Sequence, residues 1–182
     1  MSEPLLIVDV QRGFINEFTH HIPQRIARAI ARAHYTPLLF TRFINSQNGP
    51  YSRFLDWDGC NHEPDTNIVP ELETFAEEDL IFSKSGLCGL PDSLADYLSK
   101  HDIKRIFIVG IDTDMCVLKI AMDLFDISIE PIILTDCCAS TAGLQAHLAG
   151  LAVLSRNIGA MRLREAGVSD GWLAAPVEKA NC

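Results

Sequence analysis

Short apolar runs alternate with stretches of helical spacing along most of the chain. Residues 5–10 (LLIVDV) are compact and β-rich, and predict a first strand with Asp9 near its end. Ile22, Ile26, Ala29, Ile30 and Ala33 recur on one helical face, so residues 23–34 predict a helix. Residues 38–43 predict a second strand. Residues 44–68 are polar and rich in Asn, Asp, Gly and Pro, which predicts a long functional loop rather than a linker. A short helix over 69–76, a third strand over 80–82 and a helix over 91–101, with Pro91 in its first turn, follow. Residues 105–109 predict a fourth strand that stops at Gly110 in a tight turn, after which Cys116 opens an amphipathic helix over 117–125. A fifth strand over 129–135, a helix over 141–155 and a last short strand over 160–163 complete the pattern. The tail after residue 164 fits no element, and Trp172 is expected to pin it to the body or to a partner subunit.

The repeating strand–helix order with apolar strands predicts an α/β fold, a three-layer doubly wound sandwich around a mostly parallel six-stranded sheet. A length of 182 residues predicts one domain over 1–182 with a substantial core. The chain is 48% hydrophobic and 21% charged, as ordinary globular proteins are. Its net charge is −9 and Lys and Arg form no run, which argues against nucleic acid as a partner. No apolar stretch approaches the ~20 residues of a membrane span. The opening MSEPLLIVDVQ lacks a basic segment and is broken at Asp9, so no secretory signal is expected. The six cysteines include no CxxC pair and no zinc-finger spacing, so a cytoplasmic protein with reduced thiols is expected.

Candidate chemistry gathers at one edge of the predicted sheet, where open α/β folds place their sites. Asp9 ends the first strand, with Gln11 and Phe14 just beyond it; Lys84 follows the third strand; Cys116 follows the fourth. Singly, each has a plain structural explanation: Asp9 as a cap, Lys84 as a solvated lysine, Cys116 as a small buried hydrophobe. Together they form a working set. An ammonium stabilises a thiolate and holds a carboxylate, and the carboxylate takes the thiol proton and returns it to a leaving amine. A helix N-terminus next to Cys116 would further lower the thiol pKa.

The opening LLIVDVQRGF, then Lys84, then GIDTDMCVLKIAMDL and ILTDCCASTAGLQAHLAGLAVL, resemble the isochorismatase-like cysteine hydrolases, which include nicotinamidases and related amidases. The resemblance spans roughly residues 4–163, and its Gly-x-x-Thr-x-x-Cys-Val segment is the most specific piece. It implies a catalytic triad of Asp9, Lys84 and Cys116. It implies a cis peptide before Asp112, and an oxyanion hole made by the backbone N–H groups of Asp112 and Cys116. It implies self-association as dimers or tetramers, and a six-stranded, mostly parallel sheet.

The chain departs from the family in three places. Asp112 stands where a small residue is common; its carboxylate would face solvent, a partner subunit or the pocket. Cys88, Gly89 and Leu90 replace Ser-Ala-Phe after the lysine, in a segment that shapes the pocket. Gln11, Phe14, Leu87 and Cys88 are therefore the candidate pocket residues. The nicotinamidase Asp-x-His metal motif is replaced by Phe43 and Asn45 in TRFIN, which argues against a zinc site and against nicotinamidase proper. Asp56, Asp58, Cys60 and His62 have mixed ligand types without standard metal spacing, so a solvated loop is the better reading. Phe54 and Trp57 either line the pocket or anchor the loop. His147 is expected to satisfy a neighbouring group, and Cys137 and Cys138 to pack in the core.

The sequence thus points to a hydrolase of a small-molecule amide, imide or carbamoyl C–N bond, acting through a thioester without cofactor or metal. The isochorismatase branch cleaves a vinyl ether and needs no thiol, so the complete triad favours C–N hydrolysis. The alternatives are a silent interaction protein on the same fold, and thiol chemistry on another bond.

Overall fold

The computed structural model describes residues 3–87 and 89–168. Cys88 and Trp172, both singled out above, lie outside the described residues. Six strands form one sheet: β1 Leu5–Val8, β2 Leu38–Phe43, β3 Ile81–Lys84, β4 Arg105–Ile111, β5 Glu130–Ala139 and β6 Leu163–Arg164. Their order is β3-β2-β1-β4-β5-β6, and every pairing between these strands is parallel.

The strands alternate their side chains between two cores. Leu5, Ile7, Phe40, Val109, Ile111 and Leu134 point to one face, where they meet Ile22, Ile26, Ala29 and Ile30 of α1 (Ile22–Ala33). Leu72 of α3 (Pro70–Glu73) joins them. Leu6, Val8, Leu39, Phe82, Ile106, Ile108 and Ile133 point to the other. There they meet α4 (Asp92–Lys100), α5 (Leu118–Asp126) and Leu154 of α6 (Leu144–Leu154). A strand buried on both faces must be apolar at successive positions, which is why LLIV and RIFIVGI read as unbroken runs. α1 begins with Pro23 in its first turn and ends at His34 in a left-handed conformation, φ 50°.

The chain order reverses between β1 and β4, which are neighbours in the sheet. A crevice forms beyond the carboxyl ends of two strands that diverge in this way. Asp9 leaves one of them and Asp112 the other.

Several boundaries differ from expectation; β6, for one, is Leu163–Arg164 rather than 160–163. β4 runs through Gly110 to Ile111 instead of turning at the glycine. Gly110 takes φ 133°, and a Cβ there would lie 2.8 Å from Val8 N and closer still to Val8 O. Glycine thus lets β4 press against β1. β5 runs to Ala139, so Cys137 and Cys138 are strand residues, both buried. The loop over 44–68 contains α2 (Pro50–Leu55), with Pro50 in its first turn.

Candidate active site

β1 ends at Val8, and Asp9 follows with φ 50°, unusual for a residue with a Cβ. Thr41 of β2 holds it at both ends. The Thr41 hydroxyl donates to Asp9 Oδ1 at 2.6 Å and accepts from the Asp9 N–H at 3.2 Å. Lys84, the last residue of β3, reaches beneath this edge. Its Nζ lies 2.8 Å from Asp9 Oδ2 and 3.3 Å from Cys116 Sγ, and 5.3 Å from the centre of the Phe43 ring. The Asp9 and Lys84 side chains are both buried. The three groups that the sequence placed at one sheet edge therefore meet around one ammonium.

Cys116 sits in a wide helical turn, Thr113–Val117, which leads into α5. The Met115 and Val117 N–H groups both donate to the Asp112 carbonyl, at 3.2 and 3.0 Å, and fix the turn to the end of β4. The Ile111–Asp112 peptide is cis. The Asp112 carboxylate is buried and paired rather than open to solvent. It accepts from the Thr141 N–H at 2.6 Å and the Thr141 hydroxyl at 2.8 Å, and so ties the end of β4 to the segment after β5. Burial raises its pKa, and the two bonds from Thr141 oppose the rise.

The thiol departs from expectation. Burial pushes the Cys116 pKa up and the Asp9 carboxylate adds to the rise, while Lys84 pulls it down without prevailing. The reasoning from a helix N-terminus used local backbone alone; the surroundings of the sulfur outweigh it. The sulfur thus lies between the Asp9 carboxylate and the Lys84 ammonium, which donates to Sγ at 3.3 Å. Burial also works against the charge on Lys84, but Asp9 and then Cys116 more than offset it and raise its pKa.

A cavity of about 390 Å³ opens over Cys116. Its lining includes Phe14, Phe43, Tyr51, Trp57, Asp112 and Met115. The Phe14 and Trp57 rings are stacked at 6.3 Å, and Tyr51 meets Trp57 edge-on at 5.4 Å. Trp57 both lines the cavity and anchors the loop, whereas Phe54 is exposed under the Arg53 guanidinium. Phe14 lines the cavity as expected of a pocket residue. Gln11 does not: it is buried, its Nε2 donates to the carbonyls of Phe43 and Thr66, and its Oε1 accepts from the Phe43 N–H. It clamps the loop to β2. Leu87 is exposed and borders a smaller cavity of about 280 Å³, shared with Met115 and Cys116.

The loop residues first weighed as metal ligands separate. Cys60 is buried against Gly13, with its thiol pushed up to about 12 by burial and then by Asp65 and Asp9. Among the described residues no group of three or more His, Cys, Asp or Glu could hold a metal. Asn45, at the second position of the absent motif, instead donates to the carbonyls of Trp57 and Gly59 at 3.1 and 3.2 Å. His147 pairs with the Thr113 hydroxyl at 2.8 Å. Thr41, Tyr51, Met115 and Thr141 were not singled out from the sequence. Only Thr41 carried a signal, as a lone hydroxyl inside the apolar run LLFTRF.

Comparison with known proteins agrees with this architecture. The isochorismatase domain matches residues 3–165. An isochorismatase-like hydrolase from Alkaliphilus metalliredigens superposes with a TM-score of 0.77 at 20% identity, covering 91% of this chain and 96% of that one. N-carbamoylsarcosine amidase from Thermoplasma acidophilum superposes at 0.73 with 16% identity, covering 94% and 100%. Pyrazinamidase/nicotinamidase from Streptococcus mutans superposes at 0.71 with 18% identity, covering 87% and 98%. At these identities the structural likeness speaks to fold.

Proposed function

Since the chain belongs to the isochorismatase-like hydrolase family, we propose that it hydrolyses an amide, imide or carbamoyl C–N bond of a small molecule, with Cys116 as nucleophile. The observation that carries the proposal is the buried Lys84 ammonium, 2.8 Å from Asp9 and 3.3 Å from Cys116, beneath a cavity that Cys116 lines. A buried ion pair is weak evidence for fold stability, because desolvation takes back most of the attraction. Two such charges beside a thiol and a cavity are better explained by chemistry than by scaffolding.

The steps follow from the contacts. Asp9 accepts the Cys116 proton as Sγ bonds to the substrate carbonyl carbon, and Lys84 balances the negative charge held by the pair. A thiol whose pKa is raised gains nothing from standing ionised, so deprotonation accompanies attack. The oxygen of the tetrahedral intermediate is held by the Asp112 and Cys116 N–H groups. Loss of one such donor typically costs about 2.7–4 kcal/mol of transition-state stabilisation. Collapse breaks the C–N bond, and the proton on Asp9 passes to the departing nitrogen. Water then attacks the thioester and gives a proton to Asp9; collapse breaks the C–S bond, Asp9 returns the proton to Sγ, and the acid product leaves. No cofactor enters this scheme.

The same reading carries association of copies into dimers or tetramers, for which Leu144, Leu148 and Met161 offer exposed apolar side chains. The test is a panel of small amides scored by ammonia release, with the wild type and Cys116→Ala side by side. Turnover is expected in the wild type and a loss of at least about 1000-fold in the variant. Turnover that survives the substitution removes Cys116 as nucleophile.

A further inference from the structure

The cavity over Cys116 is poor in positive charge. Among the described residues that line it, the only one with an ordinarily charged side chain is Asp112. The Lys84 ammonium does not line it and is engaged by Asp9 and Cys116. The Tyr51 phenol stays protonated, because burial and then Cys116 raise its pKa. Most of the remaining wall is apolar, with the four rings of Phe14, Phe43, Tyr51 and Trp57 beside Ile111, Leu55 and Met115; of the uncharged polar residues, Asn16 bonds to Thr141 and Thr141 to Asp112.

Such a lining sorts ligands by charge. A carboxylate entering it would lose water, gain no cationic partner and face Asp112, and an unpaired buried charge is strongly penalised. A neutral flat group loses little water and packs against the rings. An ammonium is attracted both by the faces of the rings and by the carboxylate. Asp112 has room for this, since each of its oxygens has one partner in Thr141 and retains a second lone pair.

We propose that this cavity takes flat amides whose acyl half is uncharged or positively charged, and turns away those that bear a carboxylate. The inference rests on the hydrolase reading for which bond reacts, but not for which molecules bind. Its test is therefore a binding series with turnover read separately. Three ligands share one ring: benzamide, its 3-carboxylate and its 3-trimethylammonium derivative. Calorimetry with the wild-type protein is expected to give dissociation constants for the neutral and cationic compounds within about tenfold of each other, and at least tenfold weaker binding for the carboxylate. Leu55→Arg places a cation at the half-open edge of the cavity, where the native side chain is exposed. It should tighten the carboxylate at least fivefold relative to benzamide. Equal or tighter wild-type binding of the carboxylate overturns the proposal, as does failure of all three to bind. Charge-sorted binding without ammonia release from any amide leaves the selectivity standing and counts against the hydrolase reading instead.

Discussion

Asp9 is held in a left-handed backbone conformation, φ 50°, and a residue with a Cβ stays there only when its surroundings fix it. Thr41 supplies that constraint from the neighbouring strand, by bonding both the N–H and Oδ1. Oδ2 is then left to face Lys84. Thr41 is thus a positioning residue in the proposed mechanism, although it touches no substrate. Thr41→Val keeps the shape and removes the hydroxyl. A hydrogen bond to a charged group is worth roughly 1.5–3 kcal/mol, so kcat/KM should fall about 10- to 100-fold. The loss should fall on kcat more than on KM, because Thr41 orients the carboxylate and does not touch the substrate. Thr41→Ser should recover most of the rate. A Val variant that loses stability but keeps kcat would make Thr41 a packing residue only.

At the scale of elements, α6 decides where the turn bearing Cys116 can sit. The helix carries no charged residue and approaches the turn through Gly150. A Cβ at Gly150 would lie 2.8 Å from both Asp114 Cα and Asp114 N. In an exposed helix, Gly→Ala stabilises by up to about 1 kcal/mol. Here the sign should reverse. Gly150→Ala forces α6 off Thr113–Val117, which overpacking values put at about 1–3 kcal/mol of lost stability in urea unfolding. The proposed amidase activity should fall with it, since Cys116 moves with the turn. An unchanged or stabilised variant would mean that the two backbones have room to spare. This contact also marks where sequence reading stopped. β1, β2 and α1 were legible because apolar periodicity is local and strong, as Leu38–Phe43 and Ile22, Ile26, Ala29 and Ile30 show. Asp9, Lys84 and Cys116 were legible because each ends or follows a strand of one parallel sheet. The bond from Asp112 to Thr141, the grip of Thr41 on Asp9 and the clamp of Gln11 on the loop were not. Each joins segments far apart in the chain, and no periodicity encodes such pairings. The rise of the Cys116 pKa was hidden likewise, since its causes are burial and a carboxylate from another strand.

Over the whole molecule, burial of thiols couples stability to pH. Cys60, Cys116, Cys137 and Cys138 are all unbridged, and burial raises the pKa of each. For Cys60 and Cys138 the value reaches about 12. In the unfolded chain a thiol titrates near ~8.5. The folded state therefore keeps protons that the unfolded state gives up, and the stability this confers is intact below the unfolded value. As pH rises from there towards the folded value, each thiol withdraws about 1.4 kcal/mol per pH unit. The overall negative charge acts in the same direction at high pH, so the absolute slope mixes both effects. A substitution separates them. Cys138→Ala deletes one buried thiol, beside Gly110 in the sheet, and leaves the net charge at neutral pH unchanged. The variant should start less stable at pH 7, because it loses packed volume. Between pH 9 and 10.5 its urea-unfolding free energy should fall less steeply than the wild type's, by about 1.4 kcal/mol per pH unit. Cys60→Ala should flatten the slope in the same way. Parallel slopes for the wild type and both variants would show that these thiols ionise as freely in the folded protein as in the unfolded chain, and that their burial does not hold the proton.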